Sequence, residues 1–178
     1  MNQKTLASLK PAIVLTAICM VAALLLAVVN TLTAPKIEKY ENDKLIAAFE
    51  EVFPGATGFE KLNTKGAPKT VKEAYKEKSG MGYALLMTAQ SGYHTLEFSL
   101  GMDNEGKITG ISMISAIHSG GNAAFANSLP TFLESYKGVG ADLSGSMDKV
   151  SGATKSSVAM RAAMADAFAY VESLKGGA

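Results

Sequence analysis

The stretch TLEFSLGMDNEGKITGISMISAI, residues 95–117, decides the fold class of this chain. Its two halves, residues 95–102 and 107–117, are rich in the apolar and β-branched residues that strands prefer. Between them stands Asp103-Asn104-Glu105-Gly106, a run of turn-forming residues. This order predicts an antiparallel β-hairpin. A similar run over residues 82–90 predicts a further strand before it.

Helical patterns lie on both sides of these strands. Apolar residues recur at helical spacing in three segments, which are residues 36–53, 122–137 and 156–175. We expect Pro54-Gly55 to end the first helix, and Pro130 to interrupt the second so that a new helix starts at Thr131. Residues 55–80 are rich in Gly, Lys and Thr and predict turns with a short strand or two. The predicted fold class is therefore α+β, with antiparallel strands and flanking helices.

Composition and charge exclude several classes of protein. The 178 residues are 48% hydrophobic and 19% charged, which predicts one folded domain rather than a disordered chain. The formal net charge of +1 provides no electrostatic attraction for nucleic acid, so a nucleic-acid partner is not expected. The single cysteine, Cys19, excludes an intrachain disulfide, a zinc site of four thiolates and an iron–sulfur cluster held by this chain alone.

An uncharged apolar run begins at Ala12. Continued to Thr33 it has 22 residues, which as a helix rise about 33 Å and cover a hydrocarbon core of about 30 Å. We predict a transmembrane helix over residues 12–33, with Pro11 and Pro35 marking its two ends. A cleaved signal peptide is the first alternative, although its apolar stretch is usually shorter. A helix buried in a soluble core is the second, although such helices are rarely apolar on every face.

The charges around this run indicate an orientation. Residues 1–11 contain Lys4 and Lys10 and no acidic residue, whereas lysines and acidic residues are interleaved after the run. The positive-inside count alone does not decide, but a short basic leader favours a cytoplasmic amino terminus, and a long domain can follow it across the membrane. We therefore predict a short cytoplasmic segment, residues 1–11, and an extracytoplasmic domain, residues 34–178.

Residues 148–157, DKVSGATKSS, stand between a glycine-rich loop and the last predicted helix. Gly152 and Ala153 allow the backbone to turn tightly, and the hydroxyls of Thr154, Ser156 and Ser157 lie beside the N–H groups of a helix start. Lys155 adds a positive charge. The residues alone leave two interpretations open, an ordinary helix cap and a site for an anion such as a phosphate.

The segment DKVSGAT, residues 148–154, matches the Asp-x-x-Ser/Thr-Gly-Ala-Thr motif by which flavin transferases recognise covalently flavinylated membrane proteins. The chain resembles the FMN-binding G subunit of the Rnf electron-transport complex and the related C subunit of the sodium-pumping NADH:quinone reductase. Its length is closer to that of the Rnf subunit. Further segments carry the resemblance, namely TAPKI (33–37), VFP (52–54), GY (92–93) and LGMDNEGKI (100–108).

The resemblance implies that Thr154 carries FMN through a phosphoester between its hydroxyl and the flavin phosphate. A magnesium-dependent flavin transferase would make this bond from FAD, and Asp148 would belong to the motif that the transferase recognises. The other expected cofactor-binding residues are those that surround the attachment threonine, namely Ser151, Gly152, Ala153, Lys155, Ser156 and Ser157. The resemblance implies neither a catalytic residue nor a metal site within this chain.

The function implied by the resemblance is electron transfer. The chain would be a membrane-anchored subunit that relays electrons through covalent FMN in a ferredoxin:NAD oxidoreductase coupled to Na+ or H+ transport across the inner membrane. Its partners would be the membrane and iron–sulfur subunits of the Rnf complex, with the ferredoxin and NAD sites on those partners. The alternatives are a flavin subunit of the quinone reductase, a stand-alone extracytoplasmic reductase, and a non-redox assembly protein whose motif is an unmodified cap.

One segment departs from the family pattern. After the predicted hairpin the family usually has a histidine followed a few residues later by Glu-Thr-Pro-Gly-Leu-Gly, whereas this chain reads HSGGNAAF over residues 118–125. Gly120 and Gly121 would still allow the backbone to approach a flavin ring. The family's flavin-ring contacts are therefore not carried over to this segment, and neither His118 nor His94 is assigned a proton-transfer role.

Overall fold

The computed structural model describes the backbone of residues 3–92, 94–114 and 123–176, and side chains within 11–92, 94–114 and 127–176. The helices and strands of these residues follow one another as α1 Gln3–Val52, β1 Phe59–Leu62, β2 Val71–Glu77, β3 Gly82–Ser91, β4 His94–Asp103, β5 Ile108–Met113, α2 Ala123–Glu134 and α3 Thr154–Gly176. The predicted α+β class, with an apolar amino-terminal helix before an antiparallel sheet and flanking helices, is confirmed. Two short strands, β1 and β2, lie in the region where one or two were expected.

The five strands form one antiparallel sheet in which every strand pairs with its neighbours in sequence, β1-β2-β3-β4-β5. The predicted hairpin joins β4 to β5: the Asp103 N–H donates to Lys107 O at 2.9 Å, and the Gly106 N–H donates to Asp103 O at 3.1 Å. Gly106 has a φ of +81°, which glycine adopts without steric cost. Strand β5 ends at Met113, and the predicted continuation over residues 115–117 lies outside the described residues.

A bulge in β5 fixes which side chains face each side of the sheet. Gly101 of β4 pairs with Gly110, but the next residue, Met102, pairs with Ile108. Thr109 is therefore an extra residue in β5. Because of it, Ile108 and Ile111, which are three residues apart, pack into the same core. A bulge interrupts the period of two, so the alternation of apolar residues in the sequence does not by itself predict this register.

One face of the sheet packs against α2 and α3. Its strands contribute fully buried residues such as Leu85, Phe98 and Leu100. Helix α3 contributes Met160 and Met164, both fully buried, so methionine serves here as core filler. These residues belong to one hydrophobic cluster, which also includes Val150 and Ala153 from the segment before α3.

The other face of the sheet is covered by the last turns of α1, from Lys44 onward. Leu45, Phe49, Val52 and Phe53 are buried there and form a second cluster. The predicted helix end at Pro54-Gly55 agrees with the structure, where the helix ends at Val52. Ile46, which is one of the apolar residues of the predicted helix over residues 36–53, is 39% exposed.

The apolar amino-terminal run is helical and lies within α1. Among the residues that the structure describes, α1 is the one helix that is long and apolar enough to cross a membrane. No part of its most apolar stretch is buried. A buried core helix is therefore excluded in this structure. Pro11 and Pro35 were expected at the two ends of the transmembrane helix. As helix ends they are wrong, because α1 contains both prolines. A proline removes one backbone hydrogen bond from a helix, and a long helix tolerates this loss when its hydrogen bonds continue on both sides.

The chain divides into two compact units, Met1–Asp43 and Lys44–Ala178. The first holds the apolar run, whose side chains are exposed. The second holds the sheet, α2, α3 and the last turns of α1. The predicted boundaries at residues 11, 33 and 34 concern a membrane and its two sides, and they remain predictions.

Two helix boundaries also differ from the sequence prediction. Pro130 lies inside α2 and does not start a new helix. The turn that follows it is held by Phe132, which is fully buried and packs edge-on against Tyr136 at a ring distance of 5.1 Å. Helix α3 begins at Thr154 rather than at Ser156. This shift makes Thr154 the first helical residue.

Candidate functional site

A tight turn precedes α3. The Ala153 N–H donates to Val150 O at 3.0 Å, which closes a four-residue turn. Gly152 occupies its third position with a φ of +78°, a conformation that L side chains rarely adopt. Val150 and Ala153 are buried in the core, whereas Ser151 and Gly152 between them are exposed. The turn is therefore anchored at both ends and presents its middle to solvent.

Ser157 holds this turn to the first turn of the helix. Its hydroxyl accepts a hydrogen bond from the Val150 N–H at 3.1 Å and donates one to Ala153 O at 3.1 Å. Its backbone N–H also donates to Ala153 O, at 3.0 Å, which is the first bond of the helical ladder. Ser157 is fully buried. A buried side chain that joins two segments in this way makes the start of α3 rigid.

Thr154, the first residue of α3, is exposed. Within the part of the chain that the structure describes, its hydroxyl makes no hydrogen bond, and the N–H groups of residues 154–156 belong to the first turn of α3, where a helix offers them no acceptor of its own. Such N–H groups and the positive end of the helix dipole favour an anion. Lys155, also exposed, adds a cation. These groups fit a phosphate bound to or beside the Thr154 hydroxyl.

Ser156 connects this helix start to the sheet. Its hydroxyl lies 2.8 Å from the hydroxyl of Ser91, the last residue of β3. Ser91 is buried and Ser156 is half-buried. The hydroxyl of Ser156 therefore already has a partner within the chain.

The structure brings the predicted site residues together but exposes them to different degrees. Ser151, Thr154 and Lys155 are exposed on one turn and one helix start. Ala153 and Ser157 were expected beside the cofactor, but both side chains are buried, and the Ser157 hydroxyl is occupied by backbone groups. Because both side chains are buried, neither takes part in the proposed phosphate contacts. Positions 118–122 of the divergent loop lie outside the described residues.

Asp148, at the start of the motif, is held by a residue that the motif does not contain. Its carboxylate Oδ1 lies 3.3 Å from Nη2 of Arg161, which is on α3. Arg161 also donates from Nη1 to Ser146 Oγ at 2.7 Å and from Nη2 to Leu143 O at 3.2 Å. Sequence reasoning did not single out Arg161. The available signal was that it is the only arginine among the 17 basic residues.

The loop that precedes the motif is attached at a second point, Met147. The Tyr136 hydroxyl donates to Met147 O at 2.7 Å, and the Met147 N–H donates to Ser135 Oγ at 3.0 Å. Tyr136 is fully buried. The residues before the motif are therefore tied both to the end of α2 and to α3.

Comparison with known proteins gives two family matches. A family model for the RnfG N-terminal region matches residues 1–52, and a model for the FMN-binding domain matches residues 92–169. The chain belongs to the RnfG-type FMN-binding subunits. The N-terminal match of this RnfG-type subunit ends at Val52, where α1 also ends. No curated protein matched the chain.

The FMN-binding match of the RnfG-type subunit contains the site described above. It begins at Gly92, continues through β4, β5 and α2, and ends within α3 at Ala169. The turn before α3 and the exposed Thr154 hydroxyl lie inside it. The match is to an FMN-binding domain, and the geometry of this turn suits the phosphate of such a cofactor.

Proposed function

We propose that this chain is a membrane-anchored flavoprotein subunit in which FMN is joined covalently to Thr154 and relays electrons within a ferredoxin:NAD oxidoreductase coupled to Na+ or H+ translocation. The observation that carries the proposal is the exposed Thr154 hydroxyl at the first residue of α3, whereas the Ser157 hydroxyl one turn further along the helix is buried. FMN, once attached, supplies the capacity to take up and release electrons. The chain's own residues attach it and set its surroundings.

The proposed roles follow from exposure and charge. The N–H groups of residues 154–156 and the Lys155 ammonium neutralise the phosphate, and the Ser151 hydroxyl offers a further donor on the same exposed turn. Gly152 and Ala153 act through the backbone shape of the turn. Among the described residues no carboxylate or imidazole contacts the Thr154 hydroxyl, so the base that takes its proton is expected on the flavin transferase.

The proposed location and partners rest on the N-terminal region. The apolar helix anchors the subunit in the inner membrane as a single pass, with the carboxyl-terminal domain on the extracytoplasmic side. The match to the RnfG N-terminal region supports the Rnf complex over the sodium-pumping quinone reductase. The partners are the membrane and iron–sulfur subunits of that complex, and the flavin transferase during maturation. A carboxyl-terminal reporter that is active only in the cytoplasm would contradict this orientation.

The test is the intact mass of the full chain after co-expression with a flavin transferase. We expect the wild-type chain to carry the mass of FMN and to fluoresce as a denatured band, and we expect Thr154→Val to carry none. Thr154→Ser, which keeps a hydroxyl, is expected to retain some flavin. Thr131→Val is the matched control, because Thr131 is also exposed and helical but lies on α2.

Two results would contradict the proposal at different levels. FMN mass on the Thr154→Val chain would show that the attachment site is elsewhere. Full ferredoxin:NAD activity and ion transport in a complex assembled with flavin-free Thr154→Val would leave the attachment standing but would remove the electron relay. A wild-type chain that remains colourless with an active transferase would favour the assembly-protein alternative.

A further inference from the structure

Arg161 contacts three separate points of the loop before α3. Its Nη1 donates to Ser146 Oγ at 2.7 Å, and its Nη2 donates to Leu143 O at 3.2 Å and lies 3.3 Å from Asp148 Oδ1. A guanidinium presents several donors in a planar fork, so it can serve these partners at the same time. An ammonium is a point charge on a flexible stem and cannot match this geometry.

The composition of the chain indicates that this position specifically requires an arginine. The sequence has 17 basic residues, and Arg161 is the only arginine among them. Its side chain is 25% exposed, whereas the lysines in the other ion pairs found among the described residues are more than half exposed. The one arginine therefore lies at the position where a fork of donors is used.

The loop that Arg161 contacts contains a residue with a strained backbone, Leu143, and an exposed carboxylate, that of Asp148. Leu143 has a φ of +52°, in the left-handed region that non-glycine residues seldom adopt. Its carbonyl accepts hydrogen bonds from both Arg161 and Ser146. Asp148, by contrast, has a side chain that is 81% exposed, and Arg161 is its ion-pair partner. Removing Arg161 would release a strained residue and an exposed carboxylate together.

Arg161 and Thr154 share a helix. They are seven residues apart on α3, so they lie on the same helix face, separated by two turns or about 10 Å along the axis. The Arg161–Asp148 contact therefore ties the first residue of the motif to the helix that carries its last residue. The distance between the two ends of the motif depends on this contact as well as on the turn at Gly152.

We propose that Arg161 is a positioning residue for flavin transfer: it holds Asp148 and the loop of residues 143–148 so that the transferase meets Asp148 and the Thr154 hydroxyl in one fixed arrangement. This inference rests on the proposed attachment of FMN at Thr154. Arg161 itself does not touch the reacting atoms. It acts through Asp148 and through the loop.

The transfer of the FMN group from FAD to Thr154, which Arg161 would assist, involves no change in oxidation state. The Thr154 Oγ1 attacks the FMN phosphorus of FAD, and a new Oγ1–P bond forms. The bond between that phosphorus and the bridging pyrophosphate oxygen breaks, and the oxygen leaves with AMP. The hydroxyl proton passes to a base on the transferase. FAD, as implied by the family resemblance, is the one co-reactant, and its flavin ends as the FMN phosphodiester of Thr154.

The experiment measures initial rates of flavin transfer to the full-length chain in detergent, with purified transferase, FAD and Mg2+. The concentration of the acceptor chain is varied to separate its KM from kcat. We expect Arg161→Met to lower kcat/KM by about tenfold or more, the equivalent of one charge-assisted hydrogen bond. Arg161→Lys is expected to fall between Arg161→Met and wild type, because it keeps the charge but loses the fork.

A double-mutant cycle separates positioning from a general loss of stability. In the Asp148→Asn background, we expect Arg161→Met to cause a smaller loss than in the wild-type background, because the ion pair between the two residues is already altered. The cycle is repeated with Arg161→Lys, which keeps it interpretable if Arg161→Met does not fold. Lys175→Met is the matched control, since it removes one cation from the far end of the same helix.

The outcomes distinguish this inference from the proposed function. Wild-type kinetics for Arg161→Met, or equal fold losses in the two backgrounds, would overturn the positioning role while Thr154→Val still blocked transfer. Flavin transfer to Thr154→Val would overturn the attachment site, and the positioning role with it. A loss as large in Lys175→Met as in Arg161→Met would assign the effect to helix stability and would also overturn the inference.

Discussion

At the scale of single residues, Glu77 shows how much a buried carboxylate depends on its donors. It lies at the end of β2 and is 1% exposed. Its Oε1 accepts from the Thr57 N–H at 3.0 Å, and its Oε2 accepts from Ser79 Oγ at 2.5 Å and from the Met81 N–H at 3.2 Å. The residue therefore joins the loop after α1 to the turn between β2 and β3.

These contacts determine the ionisation of Glu77. Burial by itself raises the pKa of the carboxyl, but the hydrogen bonds from Ser79, Met81 and Thr57 lower it by more, from 4.5 to about 2. A lowered folded-state pKa means that the stabilisation is present above the unfolded pKa near 4.5 and is lost as the pH falls towards 2. Part of the acid sensitivity of this domain should come from this one group.

We predict that Glu77→Gln lowers the melting temperature at pH 7 by several degrees, because the amide would place a donor against other donors. The difference from wild type should shrink as the pH falls from 4.5 towards 2, where the wild-type carboxylate becomes protonated. Thermal unfolding of the full chain in detergent between pH 2 and 7 measures this. Glu60→Gln, at an exposed position on β1, is the control. A difference that did not change with pH would contradict the role assigned to the charge.

At the scale of elements, the last turns of α1 fit closely onto the sheet because two glycines leave room for them. Gly101 of β4 and Gly110 of β5 are paired across the strands, and both lie beneath Val52. Hydroxyls of the sheet complete the contact: Ser99 donates to Ala48 O at 3.1 Å, and Thr109 donates to Val52 O at 2.8 Å. The carbonyl of Val52, which the end of the helix leaves without an intrahelical partner, is thus satisfied by Thr109.

We predict that Gly101→Ala destabilises the sheet-containing unit by about 1–3 kcal/mol, the usual cost of overpacking a core. A Cβ there would lie 2.3 Å from Thr109 Oγ1 and 3.0 Å from the Val52 Cβ. The substitution should therefore disturb both the packing of α1 and the Thr109 hydrogen bond. Urea unfolding measures the change. Gly140→Ala is the matched control, since a Cβ at Gly140 has no neighbour within 4 Å, and an unchanged midpoint for Gly101→Ala would contradict the close contact.

At the scale of the whole molecule, the two units differ in what surrounds their apolar side chains. In the first, large apolar side chains such as Leu24 and Leu26 are 67% and 71% exposed, which suits a lipid environment. In the second, the sheet is covered on one face by α2 and α3 and on the other by residues 45–53. The second unit therefore contains both layers that its sheet requires, without the apolar run.

We predict that a fragment of residues 36–178 is soluble, monomeric and able to accept flavin at Thr154. It holds 15 basic and 16 acidic residues, a net charge of −1, and it keeps every buried residue of both clusters. The control fragment, residues 54–178, lacks Leu45, Phe49, Val52 and Phe53, whose burial contributes about 1.5–3 kcal/mol each. Size-exclusion chromatography and intact mass measure both fragments. Aggregation of 36–178 under all conditions would show that the boundary is wrong.

The sequence by itself determined the features that depend on neighbouring residues. The apolar run, the turn at Asp103–Gly106 and the amphipathic pattern of α3 are local signals, and the structure has the corresponding helix, hairpin and helix. The turn in the motif DKVSGAT is also local, since it closes within four residues around Gly152, whereas the role expected of Thr154 came from the family resemblance. Local hydrogen bonds and periodic burial require particular residues at a regular spacing, so the sequence alone predicts the helices, strands and turns that they form.

Only the tertiary structure decided which hydroxyl side chains at the start of α3 are exposed and which contacts hold the loop before it. Thr154 and Ser157 are both hydroxyl residues at the start of one helix, but packing against the core buries Ser157 and leaves Thr154 exposed. The contacts of Arg161 with Leu143 and of Thr57 with Glu77 join residues that are 18 and 20 positions apart. Such contacts depend on how the elements pack, and the energy of packing depends on shapes that no single segment contains.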